Sequence, residues 1–202
     1  SDSARPARAV EWLGEPILER GTLTLLQGRP KGGKSCMAQM LAIAQAVGVW
    51  PDQPWRPSGA TGVLYVSWED SLELLRERER LYRAGLGVAE ALPNLHYWEA
   101  PKVRLDEPAG LKRLAEEIAR LEVSTVWLDV LRKTHRGREN ESDSMDCVMQ
   151  GIVDLARETR CAVAATPPTR KPVQGKDSAE VVERGRGSTS IAGAAACVVD
   201  FG

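Results

Sequence analysis

A glycine-rich turn between a predicted strand and a predicted helix constrains this chain more than any other feature. Residues 28–35 read Gly-Arg-Pro-Lys-Gly-Gly-Lys-Ser and match G-x-x-x-x-G-K-[ST] in full. The turn follows an apolar run at 22–27 and precedes a stretch at 34–47 with apolar residues at helical spacing. Glycines let backbone N–H groups surround an anion, and the N-terminus of a helix carries partial positive charge. The motif therefore predicts a strand, a phosphate-binding loop (P-loop) and a helix.

The polar side chains of this loop have the chemistry expected for a nucleoside triphosphate with its metal. We expect Lys34 to reach the β- and γ-phosphates and the Ser35 hydroxyl to ligate Mg²⁺. Lys31 adds a positive charge that either contacts phosphate or points into solvent. The simpler alternative is a glycine-rich turn that only caps the helix. The predicted nucleotide contacts are Gly28, Arg29, Pro30, Lys31, Gly32, Gly33, Lys34, Ser35 and Cys36.

Strand-like apolar runs alternate with amphipathic stretches along the rest of the chain. This alternation is typical of a parallel sheet covered by helices. We predict an α/β fold with a mostly parallel, twisted sheet, helices on both faces and one domain across 1–202, with 1–20 as its lead-in. The absence of an initiator Met and the strand-like end of the chain also suggest a fragment of a longer protein. Further strands are predicted at 63–68, 95–98, 125–129, 161–166 and 197–201, and further helices at 72–82, 111–121 and 144–159.

Charge and composition limit the kinds of ligand and location that the chain can have. The chain has 27 basic and 28 acidic residues, so no overall basic field exists to hold nucleic acid, and such contacts would come from local loops. The cysteines are far apart and only two histidines occur, which argues against a structural zinc site and favours reduced thiols. Because no apolar run is long enough to cross a bilayer and no signal core begins the chain, we expect a cytoplasmic protein.

Acidic residues follow two of the predicted strands, where open parallel sheets place their ligand sites. The run at 125–129 ends in Asp129, whose carboxylate is predicted to hold Mg²⁺ opposite Ser35. The strand at 63–68 is followed by Glu69 and Asp70, and one of these carboxylates would act as general base or position the attacking water. We assign that role to Glu69. The alternative is that these acids only end a strand or begin a helix.

The order of these motifs resembles that of the RecA-like ATPases, particularly the RepA-type hexameric replicative helicases of plasmids and phages. The resemblance covers most of the chain. It rests on the P-loop and on the segments Tyr-Val-Ser-Trp-Glu-Asp at 65–70, Trp-Leu-Asp at 127–129, Thr-Arg-Lys at 169–171 and Arg-Gly-Ser at 186–188.

This resemblance implies a RecA-like P-loop fold that binds and hydrolyses Mg-ATP. It implies that Glu69 is the catalytic glutamate and that Asp129 is the Walker B aspartate. Lys34, which the P-loop chemistry already places at the β- and γ-phosphates, is also predicted to take part in catalysis. Arg186 would act across a subunit interface as an arginine finger in a homo-hexameric ring. Family members commonly carry a His pair before the Thr-Arg-Lys segment, whereas this chain has Pro at 167 and 168. Sensing of the γ-phosphate would then fall to Thr166 or Thr169, or be weakened, with slow hydrolysis.

Two segments, 132–143 and 167–187, are predicted as loops beyond strand ends, and both contain clustered basic residues. In a helicase ring these loops would contact the backbone of single-stranded DNA, although acidic residues in both segments reduce their positive charge. Two other functions stay open. One is a regulatory or recombination ATPase of the KaiC or RecA kind, and the other is a nucleotide-gated binding module with little turnover.

Overall fold

The computed structural model describes residues 9–29, 31–49, 55–129, 142–167 and 195–201. Strands alternate with helices along most of this part of the chain, as the apolar pattern predicts. In chain order the elements are β1 (Trp12–Glu15), β2 (Leu18–Glu19), β3 (Leu23–Gly28), α1 (Lys34–Val47), β4 (Arg56–Pro57), β5 (Val63–Ser67), α2 (Leu72–Gly85), β6 (Leu95–Glu99), α3 (Pro108–Leu121), β7 (Thr125–Asp129), α4 (Ser142–Thr159), β8 (Ala162–Ala165) and β9 (Cys197–Phe201).

The main sheet contains six strands in the order β6-β5-β7-β8-β3-β9, and each pair of neighbours runs parallel. Consecutive parallel strands need crossover connections, and helices supply them between β3 and β5, β5 and β6, β6 and β7, and β7 and β8. This arrangement confirms the predicted α/β fold of the RecA-like P-loop type.

Helices cover both faces of the main sheet, because side chains along each strand alternate between two apolar cores. Within β7, Trp127 lies in the core that includes α1 and Leu75 of α2. Its neighbours Val126 and Leu128 lie in the other core, which includes residues of α3 and α4. This alternation follows from the two-residue repeat of a strand and leaves the strand interiors apolar on both faces.

The strand register brings the predicted site residues to one edge of the sheet. Ser67 at the end of β5 pairs with Asp129 at the end of β7, and Leu128 of β7 pairs with Ala165 of β8. The strand before the P-loop, β3, lies on the other side of β8. The carboxyl ends of these parallel strands therefore meet where the P-loop begins.

A second sheet, in the order β2-β1-β4, is antiparallel and lies within the N-terminal half of the chain. Nothing in the sequence pattern predicts this sheet, because strands of two to four residues are too short to show a clear alternation. Leu13, Leu18 and Trp55 are buried in the same core as α1. Residues 12–19, for which the sequence predicts only a lead-in, thus pack as part of the folded domain.

Most element bounds differ from the predicted ones by a few residues at the ends. The helix predicted at 111–121 begins earlier, at Pro108, because proline is well suited to the first turn of a helix. The helix α4 begins at Ser142, inside the segment predicted as a loop at 132–143. The remainder of that loop and almost all of 167–187 lie outside the described residues. Within the described ranges, no helix is long and apolar enough to span a membrane.

Candidate nucleotide-binding site

The P-loop connects the end of β3 to the start of α1 through backbone conformations that glycine favours. Gly33, the N-cap residue directly before α1, has φ 80° and ψ 14°, in the left-handed region. The N–H of Gly32 donates to the carbonyl oxygen of Arg29 at 3.0 Å, which closes a tight turn. A Cβ at Gly32 would also lie 3.0 Å from that oxygen. Glycine is therefore favoured at 33 by the backbone conformation and at 32 by the close approach of the Arg29 carbonyl oxygen. Pro30 lies outside the described residues.

The N-terminus of α1 has no side-chain cap and no acidic residue in its first turn. Neither a capping side chain nor an acid of the first turn therefore offsets the partial positive charge at this end of the helix. In contrast, α2 is capped by Ser71, whose hydroxyl accepts a hydrogen bond from the N–H of Leu74. The α1 terminus is thus the one of the two that is suited to an anion.

The Lys34 side chain folds back over the loop. Its Nζ donates to the carbonyl oxygens of Gly28 at 3.2 Å and Arg29 at 2.9 Å. Partial burial lowers the pKa of Lys34 from its ordinary value, although the nearby Asp129 carboxylate acts in the opposite direction. The ammonium group is therefore placed at the loop, as the motif predicts.

Three hydroxyl groups converge on the buried carboxylate of Asp129. Ser35 Oγ and Thr166 Oγ1 donate to Oδ1 at 3.1 Å and 2.7 Å, and the Tyr65 hydroxyl donates to Oδ2 at 3.0 Å. Asp129 is only 1% exposed. Burial raises its pKa, while the three hydrogen bonds lower it by stabilising the charged form. The structure thus brings together Ser35 and Asp129, the two residues predicted to share a metal.

The hydroxyl groups of Thr166 and Tyr65 bind Asp129, and the sequence pattern predicts neither contact. Thr166 is a predicted phosphate sensor, but its hydroxyl is bonded to Asp129, and Thr169 lies outside the described residues. Tyr65 is not a predicted site residue. The available signal is a phenol in an otherwise aliphatic buried strand, because a buried tyrosine hydroxyl usually needs a hydrogen-bond partner.

The turn after β5 carries Glu69 and Asp70, the two acids predicted at this strand end. The Asp70 carboxylate forms an ion pair with Arg78 of α2. The backbone N–H of Asp70 donates to Ser67 Oγ at 3.0 Å. Asp70 also lies close enough to Asp129 to contribute to the raised pKa of that carboxyl group. The Glu69 side chain is exposed at the same edge of the sheet. The structure thus gives Asp70 a basic partner, and the assignment of the water-activating role to Glu69 stays a prediction.

Of the remaining predicted site residues, Cys36 lies within the described part of the chain and Arg186 does not. Cys36 lies in the first turn of α1, and its side chain hydrogen-bonds Tyr82 of α2, whose pKa is raised to about 12 by burial and by this neighbour. A nucleotide contact by Cys36 would therefore use its backbone N–H. Arg186 lies outside the described residues.

A P-loop that follows a parallel strand, with its serine bonded to an aspartate at the end of another strand, defines the class of P-loop ATPases. A family model for AAA domains matches residues 1–174, and the chain belongs to this family. The matched range includes the P-loop, Glu69 and Asp129 and ends before Arg186. No curated protein matches the chain.

Proposed function

We propose that this protein binds Mg-ATP and hydrolyses it to ADP and phosphate. The observation that carries the proposal is the 3.1 Å contact between Ser35 Oγ and Asp129 Oδ1 beside the P-loop. A hydroxyl and a buried carboxylate form the hard oxygen donor set that Mg²⁺ prefers. Ser35 and Asp129 would hold the metal, which would neutralise charge on the β- and γ-phosphates.

The chain's own residues supply the other parts of the proposed reaction. The loop N–H groups and the Lys34 ammonium would bind the β- and γ-phosphates and hold them at the start of α1. Glu69 would accept a proton from a water molecule as the water oxygen attacks the γ-phosphorus. The bond between that phosphorus and the bridging oxygen then breaks, and ADP leaves with the electron pair.

We also propose that the domain is the motor of a homo-hexameric replicative DNA helicase. The support is the resemblance in motif order and the position of Arg186 before Gly-Ser, which suits an arginine finger for the neighbouring subunit. Basic residues of 132–143 and 167–187 would contact single-stranded DNA. The near-neutral net charge favours the alternative of a regulatory or recombination ATPase of the KaiC or RecA kind.

The proposals are tested by phosphate release with and without Mg²⁺ and single-stranded DNA, together with mass in solution. Hydrolysis that requires Mg²⁺ and is lost in Lys34→Ala supports the ATPase. Assembly into hexamers with DNA-stimulated turnover supports the helicase, whereas open filaments support the recombination alternative. A protein that stays monomeric with ATP and DNA, and whose turnover DNA never stimulates, contradicts the helicase proposal.

The role of Arg186 has its own test, with the near neighbour Arg184 as the matched control. Arg186→Ala is expected to bind ATP normally and to lose the turnover that assembly stimulates, while Arg184→Ala keeps most of it. Mixing Arg186→Ala with Glu69→Gln should restore some hydrolysis, because one mixed interface then has both an intact glutamate and an intact arginine. No recovery on mixing, with mixed assembly demonstrated, would contradict a role across the interface.

A further inference from the structure

We propose that Tyr65 is a positioning residue that fixes the orientation of the Asp129 carboxylate for the metal. This inference rests on the proposed function, because it concerns the same site. It adds a residue that neither the P-loop motif nor the strand-end acids identify.

The distribution of hydrogen bonds over the two oxygens of Asp129 carries the argument. Ser35 and Thr166 both donate to Oδ1, so the two lone pairs of that oxygen are occupied. Tyr65 alone among the described contacts donates to Oδ2. One lone pair of Oδ2 is left by this count, and it is the acceptor that a metal or its bound water would use. Removing the Tyr65 hydroxyl would leave Oδ2 without this restraint.

The position of Tyr65 is itself determined by the sheet. Its backbone pairs on both sides, with Tyr97 of β6 and Trp127 of β7. Its side chain is fully buried, and its ring meets that of Tyr97 in an edge-to-face arrangement with centroids 6.0 Å apart. A tyrosine side chain that is packed in this way has few alternative rotamers, so its hydroxyl is held in one position beside Asp129.

The same hydroxyl lies next to the helix that carries the metal-binding serine. Its oxygen is 3.3 Å from the carbonyl oxygen of Ser35, compared with 3.0 Å from Oδ2 of Asp129. One hydroxyl hydrogen can serve only one of these acceptors well, and the charged, closer Asp129 is favoured. Tyr65 therefore lies between the two halves of the metal site, the first turn of α1 and the end of β7.

The test is Tyr65→Phe, which removes the hydroxyl and keeps the ring. We expect the affinity for Mn²⁺ in the presence of ADP to fall on the order of 10-fold to 100-fold, as for other residues that orient a metal ligand. The affinity for ADP in excess EDTA should stay unchanged, because the Tyr65 hydroxyl reaches Ser35 only at its carbonyl oxygen, which is an acceptor and cannot bind phosphate. Free Mn²⁺ measured by electron paramagnetic resonance gives the first value, and a fluorescent ADP analogue gives the second.

The matched control is Tyr97→Phe, which removes one hydroxyl from the ring that packs against Tyr65. The Tyr97 hydroxyl accepts from Gln39 and makes no contact with Asp129 among the described hydrogen bonds, so its loss should leave Mn²⁺ affinity unchanged. If Tyr65→Phe is too unstable for titration, the rise in melting temperature on adding Mg²⁺ at fixed ADP gives the same comparison.

Two outcomes would overturn the proposal for Tyr65. One is a Tyr65→Phe variant with the metal affinity of the unmodified protein. The other is an equal loss in Tyr97→Phe, which would assign the effect to any lost hydroxyl in this core. Failure of the proposed function gives a different result, because the unmodified protein would then show no metal-dependent nucleotide binding.

Discussion

The Ser35 hydroxyl lies 3.1 Å from Oδ1 of Asp129, although 94 residues separate the two side chains in sequence. The strands that lead to them, β3 and β7, are not neighbours, because β8 lies between them. Strands two positions apart are separated by roughly 10 Å. The contact therefore passes over the end of β8. Thr166 directly follows β8 and donates a second hydrogen bond to the same oxygen of Asp129.

This contact predicts that Ser35→Ala selectively weakens metal binding. We expect the gain in ADP affinity on adding Mg²⁺ to fall on the order of 10-fold or more, because one of the proposed metal ligands is lost. The metal-free affinity for ADP should change little. Calorimetric titration with and without EDTA separates the two quantities.

A control for Ser35→Ala is Ser71→Ala, which removes another serine hydroxyl at a helix N-terminus. Ser71 caps α2 and lies outside the predicted site. Its loss should cost about 1 kcal/mol of stability and leave the effect of Mg²⁺ intact. Equal metal dependence in Ser35→Ala and the unmodified protein would remove Ser35 from the metal site.

Lys34→Ala should lose most of its affinity for ATP. Its ammonium is held against the loop carbonyls of Gly28 and Arg29, where it can meet phosphate charge directly. Truncating one partner of such a charge pair costs about 2 kcal/mol or more, which is at least about 30-fold in Kd. Lys31→Ala is the control, because Lys31 is exposed and should contribute much less. A larger loss in Lys31→Ala than in Lys34→Ala would reverse these roles.

Glu69→Gln should bind ATP normally and hydrolyse it on the order of 10² to 10⁴ times more slowly, the usual contribution of a general base. Asp70→Asn is the matched control, since it makes the same change one residue further along. Asp70 is paired with Arg78, so its variant should show altered stability more than altered turnover. Single-turnover hydrolysis and nucleotide titration measure the two effects. The opposite pattern would make Asp70 the base.

Gly110→Ala should destabilise the fold on the order of 3 kcal/mol, because a core without space must shift to accept a methyl group. A Cβ at this buried position of α3 would lie 1.8 Å from the carbonyl oxygen of Arg104, which is backbone and cannot rotate away. Gly85→Ala is the control at the exposed end of α2, where no atom lies within 4 Å of the added carbon. Its effect should stay within about 1 kcal/mol. Urea unfolding of both variants checks the difference.

The main sheet and its helices could be predicted from the sequence because their signals are long and local. The P-loop motif fixes β3 and α1, and parallel strands bring Asp129 to the same edge without further information. The sheet β2-β1-β4 could not be predicted in this way. Its strands are short, and β4 pairs with β1 across the whole of β3 and α1.

The details of the site depend on contacts between distant elements. A tyrosine in the apolar run 63–67 is most simply a core residue, and only the register of β5 against β7 shows that Tyr65 reaches Asp129. Likewise, the sequence favours Glu69 over Asp70 as the catalytic acid but does not show which side chains contact Asp70. Arg78, two turns into the next helix, pairs with Asp70, and only the folded structure shows this contact.

Gln45, near the end of α1, is fully buried and donates through its side chain to the Leu13 carbonyl oxygen at 2.7 Å and to Thr61 Oγ1 at 2.9 Å. A shortened version that starts at the P-loop strand would remove the first of these acceptors and uncover the ring of Trp55, which lies against Gly14. We therefore expect a folded fragment of this protein to include Leu13 and Gly14, which precede the P-loop motif by more than a dozen residues.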